Sequence, residues 1–319
     1  MQCPAVSCDF VIWLDGQPVS RALVGGKGAS LSNLIALGAP VPPAFSLSTD
    51  AYAAMAEAAG LPKRASDVSD DDLPAIRAVI EASPLPADIR AALTEAFAEL
   101  SILAGGEISV AVRSSATAED SAVFSFAGLH DTILDVRDYD ALEEAVKRCW
   151  ASLWTERAVA YRRQGGMDAD EGGIAVVIQQ LVRSDVSFVA FAADPISGQT
   201  DYVLINASWG LGEALVSGMV TPDQVIVGSD GAIHEYLIGE KAEMIVPRAD
   251  APGTQTVPVP RLLRSLPALN REQIDAISAM TRAMSDELGY PADLEGGLVG
   301  SQIMLFQARP ITTLGMVAA

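Results

Sequence analysis

The alternation of apolar and polar positions along the chain predicts a mixture of short strands and helices. Apolar, β-branched runs predict strands at 10–16, 107–113 and 173–182. After the first strand, apolar residues at helical spacing predict a helix that stops at Gly38, because glycine suits the position after a helix and three prolines follow. Residues 51–104 are rich in alanine and predict further helices.

The second half of the chain continues this mixed pattern. Residues 141–166 predict one long helix with an apolar stripe. Residues 247–268 contain five prolines and predict a loop. Asn270 and Gln273 then predict a capping box at the start of the next helix. Residues 293–312 predict two strands joined by a Gly-rich turn, which is a hairpin.

Length and composition limit the classes of protein that fit this pattern. A chain of 319 residues suits two domains or one large α/β unit with lobes, and we place a division near residue 180. Half of the residues are apolar, so a sizeable core is expected and global disorder is excluded. The net charge of −20 argues against nucleic acid or an anionic membrane as the main partner.

The cysteines and the N-terminal segment bear on the cellular compartment. Cys3, Cys8 and Cys149 form no CxxC pair, which is typical of reduced thiols. The first sixteen residues lack the basic region of a signal peptide, and no run of 18 uncharged apolar residues occurs. We therefore expect a cytoplasmic protein with no membrane partner.

The segment GGKGAS, residues 25–30, is the first candidate for anion binding. Backbone N–H groups of a Gly-rich turn that leads into a helix can cradle a phosphate, and Lys27 adds a mobile positive charge. The spacing differs from that of the P-loop. The alternative is an ordinary turn with a solvated lysine.

The segment RSSATAEDS, residues 113–121, is the second candidate. The guanidinium of Arg113 can bind phosphate oxygens through two N–H groups, and the Ser and Thr hydroxyls can donate without adding negative charge. Downstream, Gly128 allows a close backbone approach. The alternative here is a polar surface loop.

The C-terminal hairpin gives the sharpest physical signal. Because alternate residues of a strand share a face, Gln307 and Arg309 project together, as do Asp293 and Glu295 on the partner strand. Carboxylate and amide oxygens suit Mg²⁺, which also binds substrate phosphates. The alternative is a surface salt bridge.

Other catalytic classes have little support in the sequence. His130 and His234 are the two histidines, and both are more consistent with structural or exposed positions than with catalysis. The chain contains no HExxH, CxxC, Gly-x-Ser-x-Gly or GxGxxG-after-strand motif. Protease, zinc and Rossmann assignments are therefore disfavoured.

Taken in order, eight stretches of the chain resemble the ATP-binding half of the phosphoenolpyruvate synthase, pyruvate phosphate dikinase and rifampin phosphotransferase family. They span 25–312 and read GGKGASLSNLIALGAPVPPAFSLST, VAVRSSATAEDSAVFSFAGLHDTIL, WASLWTERAVAYR, AVVIQQLV, DPISG, INASWGLGEALVSGMVTPD, IGEKAEMIV and DLEGGLVGSQIMLFQARPIT. The resemblance implies an α+β, ATP-grasp-like fold with two lobes that enclose a nucleotide cleft. Residues 1–180 would form the N-terminal lobe with the Gly-rich and RSSA phosphate loops, and 181–319 the C-terminal lobe with the metal and phosphate hairpin.

The resemblance also implies roles for individual residues toward ATP and Mg²⁺. Three basic residues would act on the phosphates as catalytic groups. The remaining positions would bind nucleotide or metal. The basic residues are Lys27, Arg113 and Arg309. Gly128 and Thr132 would belong to the loop that closes over the phosphates, and Gln179 would lie by the adenine. Glu295 and Gln307 would approach the Mg²⁺–phosphate cluster.

Two positions depart from the family pattern, and one family element is missing from this sequence. Leu129 stands where the family usually has Gln, and Gly296 stands where it usually has a large aromatic residue that would support Glu295. In the family, ATP phosphorylates a histidine on a swivelling domain, with AMP and phosphate as by-products. Neither His130 nor His234 has the sequence context of that histidine.

Three functional hypotheses follow from this resemblance. The favoured one is an ATP-dependent phosphotransferase component that phosphorylates a histidine on a separate swivelling domain or partner protein. The second is a stand-alone kinase that uses the same ATP site for a small acceptor. The third is a non-catalytic nucleotide-binding regulatory protein.

Overall fold

The computed structural model describes residues 10–117, 132–164, 173–195 and 197–311. The chain divides into two compact units, and one division falls between residues 180 and 181. Among the described residues, the first unit contains 10–32, 43–117, 132–164 and 173–180, and the second contains 33–42, 181–195 and 197–311. A short early segment, 33–42, therefore belongs with the later part of the chain.

The first unit is built on a five-stranded antiparallel sheet with the strand order β1-β2-β5-β3-β4. Its strands are β1 (Val11–Trp13), β2 (Ala44–Leu47), β3 (Val110–Ala116), β4 (Thr132–Val136) and β5 (Ile174–Gln180). Its helices are α1 (Arg21–Ala36, of which 33–36 count with the second unit), α2 (Thr49–Ala58), α3 (Leu73–Ala82), α4 (Ala87–Leu103), α5 (Tyr139–Ala151) and α6 (Glu156–Gln164).

The hydrophobic core of the first unit lies on one face of this sheet. Alternate residues of β3 and β5, such as Val112 and Ile178, join the cluster that also contains the buried rings of Trp150 and Trp154. Helices α2 and α5 pack against β5 and β3. Because side chains alternate along a strand, the neighbouring positions on β3 and β5 project from the opposite face. That second face carries the polar residues described below.

The second unit contains a six-stranded antiparallel sheet with the order β13-β12-β6-β7-β8-β9 and a separate two-stranded sheet, β10-β11. Helix α8 packs against β12, β6 and β7 and closes the core of this unit. The strands are β6 (Val186–Phe191), β7 (Tyr202–Trp209), β8 (Asp223–Gly228), β9 (Ile233–Leu237), β10 (Glu243–Pro247), β11 (Thr254–Pro258), β12 (Ala292–Val299) and β13 (Gln302–Pro310), and the helices are α7 (Glu213–Val216) and α8 (Arg271–Leu288).

The capping signals predicted around α8 are confirmed. The Asn270 side chain accepts a hydrogen bond of 2.9 Å from the Gln273 backbone N–H, and the Gln273 side chain accepts one of 2.9 Å from the Asn270 N–H. At the other end, Gly289 adopts the left-handed conformation with φ of 76°. The α+β class is confirmed as well, since both units combine helices with antiparallel strands.

Three predicted boundaries are wrong. The single helix expected over 141–166 is two helices, because a 3₁₀ turn at Ser152–Trp154 separates α5 from α6. Helix α1 begins at Arg21, upstream of the predicted turn at 25–30. The proline-rich loop 247–268 contains the strand β11, which pairs with β10. Along the described ranges, no helix combines the length and the apolar character needed to cross a membrane.

Candidate functional site

The Gly-rich segment and the RSSA strand, predicted separately as phosphate loops, are in direct contact in the first unit. Gly25 interrupts helix α1 with φ of 70° and ψ of −176°, a conformation that favours glycine. A Cβ at this position would lie 2.2 Å from the Ser115 carbonyl oxygen and 2.3 Å from Ser115 Oγ. The segment can therefore approach β3 this closely only because residue 25 has no side chain.

The hydroxyl of Ser115 joins the two segments. Ser115 Oγ accepts hydrogen bonds from the backbone N–H groups of Lys27, at 3.1 Å, and Gly28, at 3.3 Å. The same hydroxyl donates to the Val24 carbonyl oxygen at 2.8 Å. These bonds fix the backbone on both sides of Gly25, so the turn has a defined position on β3.

Lys27 is held by the same strand. Its ammonium Nζ donates a hydrogen bond of 2.8 Å to the Ser114 carbonyl oxygen, and the residue is 8% exposed. The alternative of an ordinary turn with a solvated lysine is therefore wrong.

Three further predicted residues project from the face of the first sheet that carries Ser115. Arg113 lies directly opposite Thr132 on β4 and Val177 on β5, and directly opposite residues of an antiparallel pair share a face. Gln179 is two positions beyond Val177 and so lies on that face too. The turn in α1 packs there, because a Cβ at Gly28 would lie 3.7 Å from Val177 Cγ2.

Arg113 and Gln179 differ in how their polar groups are placed. Arg113 is 8% exposed although it carries a full charge. Gln179 is 3% exposed, and within the described part of the chain its Nε2 has no hydrogen-bond partner. A buried amide N–H₂ without a partner costs about 1–3 kcal/mol, so this position suits a ligand that supplies an acceptor.

The C-terminal hairpin of the second unit has the predicted register. Asp293 lies opposite Arg309, and Glu295 lies opposite Gln307, so all four side chains project from one face. Arg309 Nε donates a 2.8 Å hydrogen bond to Asp293 Oδ2, and Arg309 Nη2 lies 3.9 Å from Glu295 Oε1. Gln307 and Asp293 are buried, which is unlike the surface salt bridge that was the alternative.

A β-bulge follows Glu295 in this hairpin. Gln307 pairs with Glu295 and Leu305 pairs with Gly296, so Phe306 is the extra residue of the bulge. Across β6, the ring of Phe188 occupies the space beside Gly296, since a Cβ there would lie 2.4 Å from Phe188 Cζ. The aromatic residue that the family usually carries at position 296 would therefore collide with Phe188.

The donor set of the hairpin fits a magnesium ion that shares substrate phosphates. Glu295 offers a carboxylate and Gln307 a carboxamide oxygen on the same face, and Mg²⁺ usually takes one or two carboxylates together with phosphate oxygens and water. No group of three or more His, Cys, Asp or Glu side chains able to hold a metal ion occurs within the described ranges. A metal site made of three or more protein carboxylates is thus absent from that part of the chain.

The structure brings the predicted site residues together in two sets. Lys27, Arg113, Thr132 and Gln179 belong to one sheet face of the first unit, and Glu295, Gln307 and Arg309 belong to one hairpin face of the second. Gly128 lies outside the described residues, as do Leu129 and His130. The sequence did not predict the hydrogen bond between the Ser115 hydroxyl and the Lys27 N–H, because the two residues are 88 positions apart.

Comparison with known proteins assigns the chain to a family. Residues 21–318 match the family described as "Pyruvate phosphate dikinase, AMP/ATP-binding domain". The chain therefore belongs to this family of ATP-binding domains, and the family resemblance expected from the sequence is confirmed.

Relatives with assigned names support the same placement. The chain is 37% identical over 97% of its length to the probable phosphoenolpyruvate synthase of Methanocaldococcus jannaschii, and 36% identical over 96% to the phosphoenolpyruvate synthase of Pyrococcus furiosus. It is also 40% identical over 92% to the rifampicin phosphotransferase of Streptomyces sviceus. The chain covers 27%, 44% and 34% of these three proteins, so it spans less than half of the relatives it matches.

Proposed function

We propose that this chain binds Mg·ATP and transfers the β-phosphoryl group to a histidine on a separate swivelling domain or partner protein, while water takes the γ-phosphoryl group, so that AMP and phosphate are released. The observation that carries the proposal is the grouping of cations and polar side chains on one face of each sheet. Lys27 and Arg113 occupy such a face in the first unit, and Arg309 does so in the second.

The three cations supply the electrostatic part of the reaction. Phosphoryl transfer depends mainly on positioning and on compensation of the phosphate charge, so cations held in a partly buried site are effective. Arg113 and Lys27 are both 8% exposed, and Asp293 fixes one edge of the Arg309 guanidinium. These groups bind and orient the phosphates.

Other residues bind the two ends of the nucleotide. Gln179, whose Nε2 has no hydrogen-bond partner among the described residues, would contact the adenine, and Thr132 lies opposite Arg113 where it can donate to a phosphate oxygen. Glu295 and Gln307 would hold Mg²⁺. When bound, the ion would offset part of the negative charge on the phosphate oxygens.

The length of the relatives supports a separate acceptor. The proteins named phosphoenolpyruvate synthase are more than twice as long as the region that this chain matches. In the family, the swivelling domain with its histidine lies outside the ATP-binding half. We therefore assign the acceptor histidine to another domain or protein.

The test follows a label from ATP to histidine. The purified chain is incubated with Mg²⁺, ATP labelled at the β-phosphate and an isolated histidine-bearing swivelling domain of a family member, and the nucleotides are separated by chromatography. We expect acid-labile label on that domain and formation of AMP. Lys27→Met should abolish labelling, whereas Lys63→Met, at an exposed position, should not.

The products also distinguish the alternatives. ADP formed by the chain alone in the presence of a small acceptor would indicate the stand-alone kinase. Tight binding of ATP with neither AMP nor ADP under any of these conditions would indicate a regulatory nucleotide-binding protein. Either outcome would contradict the proposal.

A further inference from the structure

We propose that Ser115 is a positioning residue that places Lys27 for phosphate binding and does not itself contact the nucleotide. The inference deepens the proposed function and rests on it, because it assigns the Ser115 hydroxyl to the Gly-rich turn. From the sequence alone, this hydroxyl is expected to donate to phosphate together with the other hydroxyls of the RSSA segment.

The hydrogen-bonding capacity of Ser115 is already used within the protein. A serine hydroxyl has one hydrogen to donate and two lone pairs that accept. Its hydrogen goes to the Val24 carbonyl oxygen at 2.8 Å, and its lone pairs accept from the N–H groups of Lys27 and Gly28 at 3.1 and 3.3 Å. The residue is fully buried. No donor remains for a phosphate oxygen.

These three bonds fix the position of the backbone from which the Lys27 side chain extends. They hold the backbone before and after Gly25, the residue at which α1 breaks. The side chain of Lys27 is then directed along β3, where Nζ meets the Ser114 carbonyl oxygen at 2.8 Å. Without the Ser115 hydroxyl, the N–H groups of Lys27 and Gly28 and the Val24 carbonyl oxygen would lose their common partner, and the turn would no longer be fixed relative to β3.

If Ser115 only positions Lys27, then Ser115 affects the affinity for Mg·ATP only when Lys27 is present. The dissociation constants of Mg·ATP and of adenosine are therefore measured for wild type, Ser115→Ala, Lys27→Met and the double variant. We expect Ser115→Ala to weaken Mg·ATP binding roughly tenfold, because the loss of its hydrogen bonds is only partly transmitted to the ligand. Adenosine, which has no phosphates, should bind equally to all four proteins.

The double variant gives the decisive comparison. Adding Ser115→Ala to Lys27→Met should change the affinity for Mg·ATP less than twofold, because the group that Ser115 positions is already gone. Ser46→Ala is the matched control, since Ser46 is fully buried, lies opposite Val177 on the same sheet face and makes no bond to the turn. It should bind Mg·ATP like wild type.

Distinct outcomes overturn the two proposals. Effects of Ser115→Ala and Lys27→Met that multiply in the double variant would show that Ser115 acts on the ligand independently, and would overturn only the positioning role. A folded Ser115→Ala protein with wild-type affinity would do the same. A Lys27→Met protein that binds Mg·ATP normally would overturn the phosphate role of Lys27 as well. If Ser115→Ala does not fold, Ser115→Cys fills the site with a slightly larger, weakly hydrogen-bonding group and should show the same loss.

Discussion

Asp293 lies directly opposite Arg309 across the β12–β13 pair, and Asp293 Oδ2 accepts a hydrogen bond of 2.8 Å from Arg309 Nε. The Asp293 carboxylate is almost completely buried, while the Arg309 side chain retains about a quarter of its accessible surface. The pair thus joins a buried carboxylate to a partly exposed cation. An arginine has five N–H donors, so an anchor at Nε leaves the terminal amino groups in a defined orientation.

We expect Asp293→Asn to lower the rate of AMP formation by about tenfold or more without loss of the fold. The variant replaces a charge-assisted hydrogen bond, worth about 1.5–3 kcal/mol, with a neutral one, and Arg309 then samples other orientations. The measurement is kcat with the histidine-bearing acceptor present. Asp70→Asn, which alters the exposed pair between Asp70 and Arg163, is the control and should leave kcat unchanged. An unaltered kcat in Asp293→Asn would contradict the role of Asp293 in orienting Arg309.

Gly25 should be irreplaceable for a reason that goes beyond its positive φ. We expect Gly25→Ala to lose both stability and ATP binding, because the new Cβ would lie 2.2 Å from the Ser115 carbonyl oxygen. Gly38→Ala is the control, since Gly38 has φ of 76° with no atom within 4 Å of a Cβ. Gly38→Ala should show only the conformational cost of about 1 kcal/mol. Thermal unfolding and ATP titration of both variants give the comparison, and equal losses would contradict the collision.

The features predicted from sequence are those that local patterns determine. The hairpin register follows from the period of two along a strand, so the shared face of Gln307 and Arg309 could be read directly from their spacing. The capping box at Asn270 and Gln273 is likewise contained within four residues. Each of these predictions used residues whose geometry depends on their immediate neighbours.

The features that were missed depend on contacts between distant positions. Ser115 and Lys27 are 88 residues apart, and no periodicity in either segment shows that the hydroxyl accepts from that backbone N–H. Gln179 offered a partial signal, since it is a polar residue at the end of a buried apolar strand. That its Nε2 has no hydrogen-bond partner within the described ranges depends on the residues packed around it, which the local pattern does not show. The ring of Phe188 beside Gly296 is also a product of strand order, because β6 pairs with β12.

A buried ion pair stabilises the second unit away from the hairpin. Asp223 and Lys241 contact each other with both side chains fully buried. The Asp223 carboxylate also accepts from the backbone N–H groups of Gly239, at 2.9 Å, and Ala268, at 2.6 Å. It therefore ties β8 to two separate loops, which makes it a stability determinant of this unit.

We expect Asp223→Asn to lower the free energy of unfolding by about 3–5 kcal/mol, because the Lys241 ammonium would remain buried without its counter-charge. The matched control is Asp275→Asn, in the exposed pair of Arg271 and Asp275, which should cost less than about 1 kcal/mol. Urea unfolding of the two variants provides both values. Similar losses would contradict a special role of burial.

Stability should also depend on pH in the alkaline range. Burial raises the pKa of Tyr52 from its ordinary value of 10.0 to about 12. Because the folded-state pKa is the higher one, the stabilisation is fully present below pH 10 and is lost as pH rises toward 12. The free energy of unfolding of wild type should therefore fall between pH 10 and 12.

Tyr52→Phe isolates this contribution. The variant removes the acceptor of a 2.8 Å hydrogen bond from Trp154 Nε1, so it should be less stable than wild type at pH 8. Its decline in stability between pH 10 and 12 should nevertheless be smaller, since the group that titrates is gone. Urea unfolding at several pH values gives the two slopes. Parallel slopes would assign the alkaline loss to other groups.

Substitutions at Gly296 and Phe188 should have coupled effects on stability, because the Phe188 ring occupies the space beside Gly296 that a side chain at position 296 would need. A Cβ at position 296 would lie 2.4 Å from Phe188 Cζ and 2.7 Å from the Met304 carbonyl oxygen. We expect Gly296→Trp to destabilise the protein by more than about 3 kcal/mol, beyond the usual cost of an overpacked core. Gly212→Ala is the control, since the nearest atom to a Cβ there is 3.6 Å away.

Removing the ring should relieve much of that cost. In a Phe188→Gly background, the change Gly296→Trp should cost at least 1 kcal/mol less than in wild type, because the incoming ring can enter the space that Phe188 vacates. The contact with the Met304 carbonyl oxygen remains, so relief should be incomplete. Urea unfolding of wild type, both single variants and the double variant gives the coupling energy. Additive costs would mean that the two positions do not compete for one space, and the aromatic residue missing at 296 would then need another explanation than the ring of Phe188.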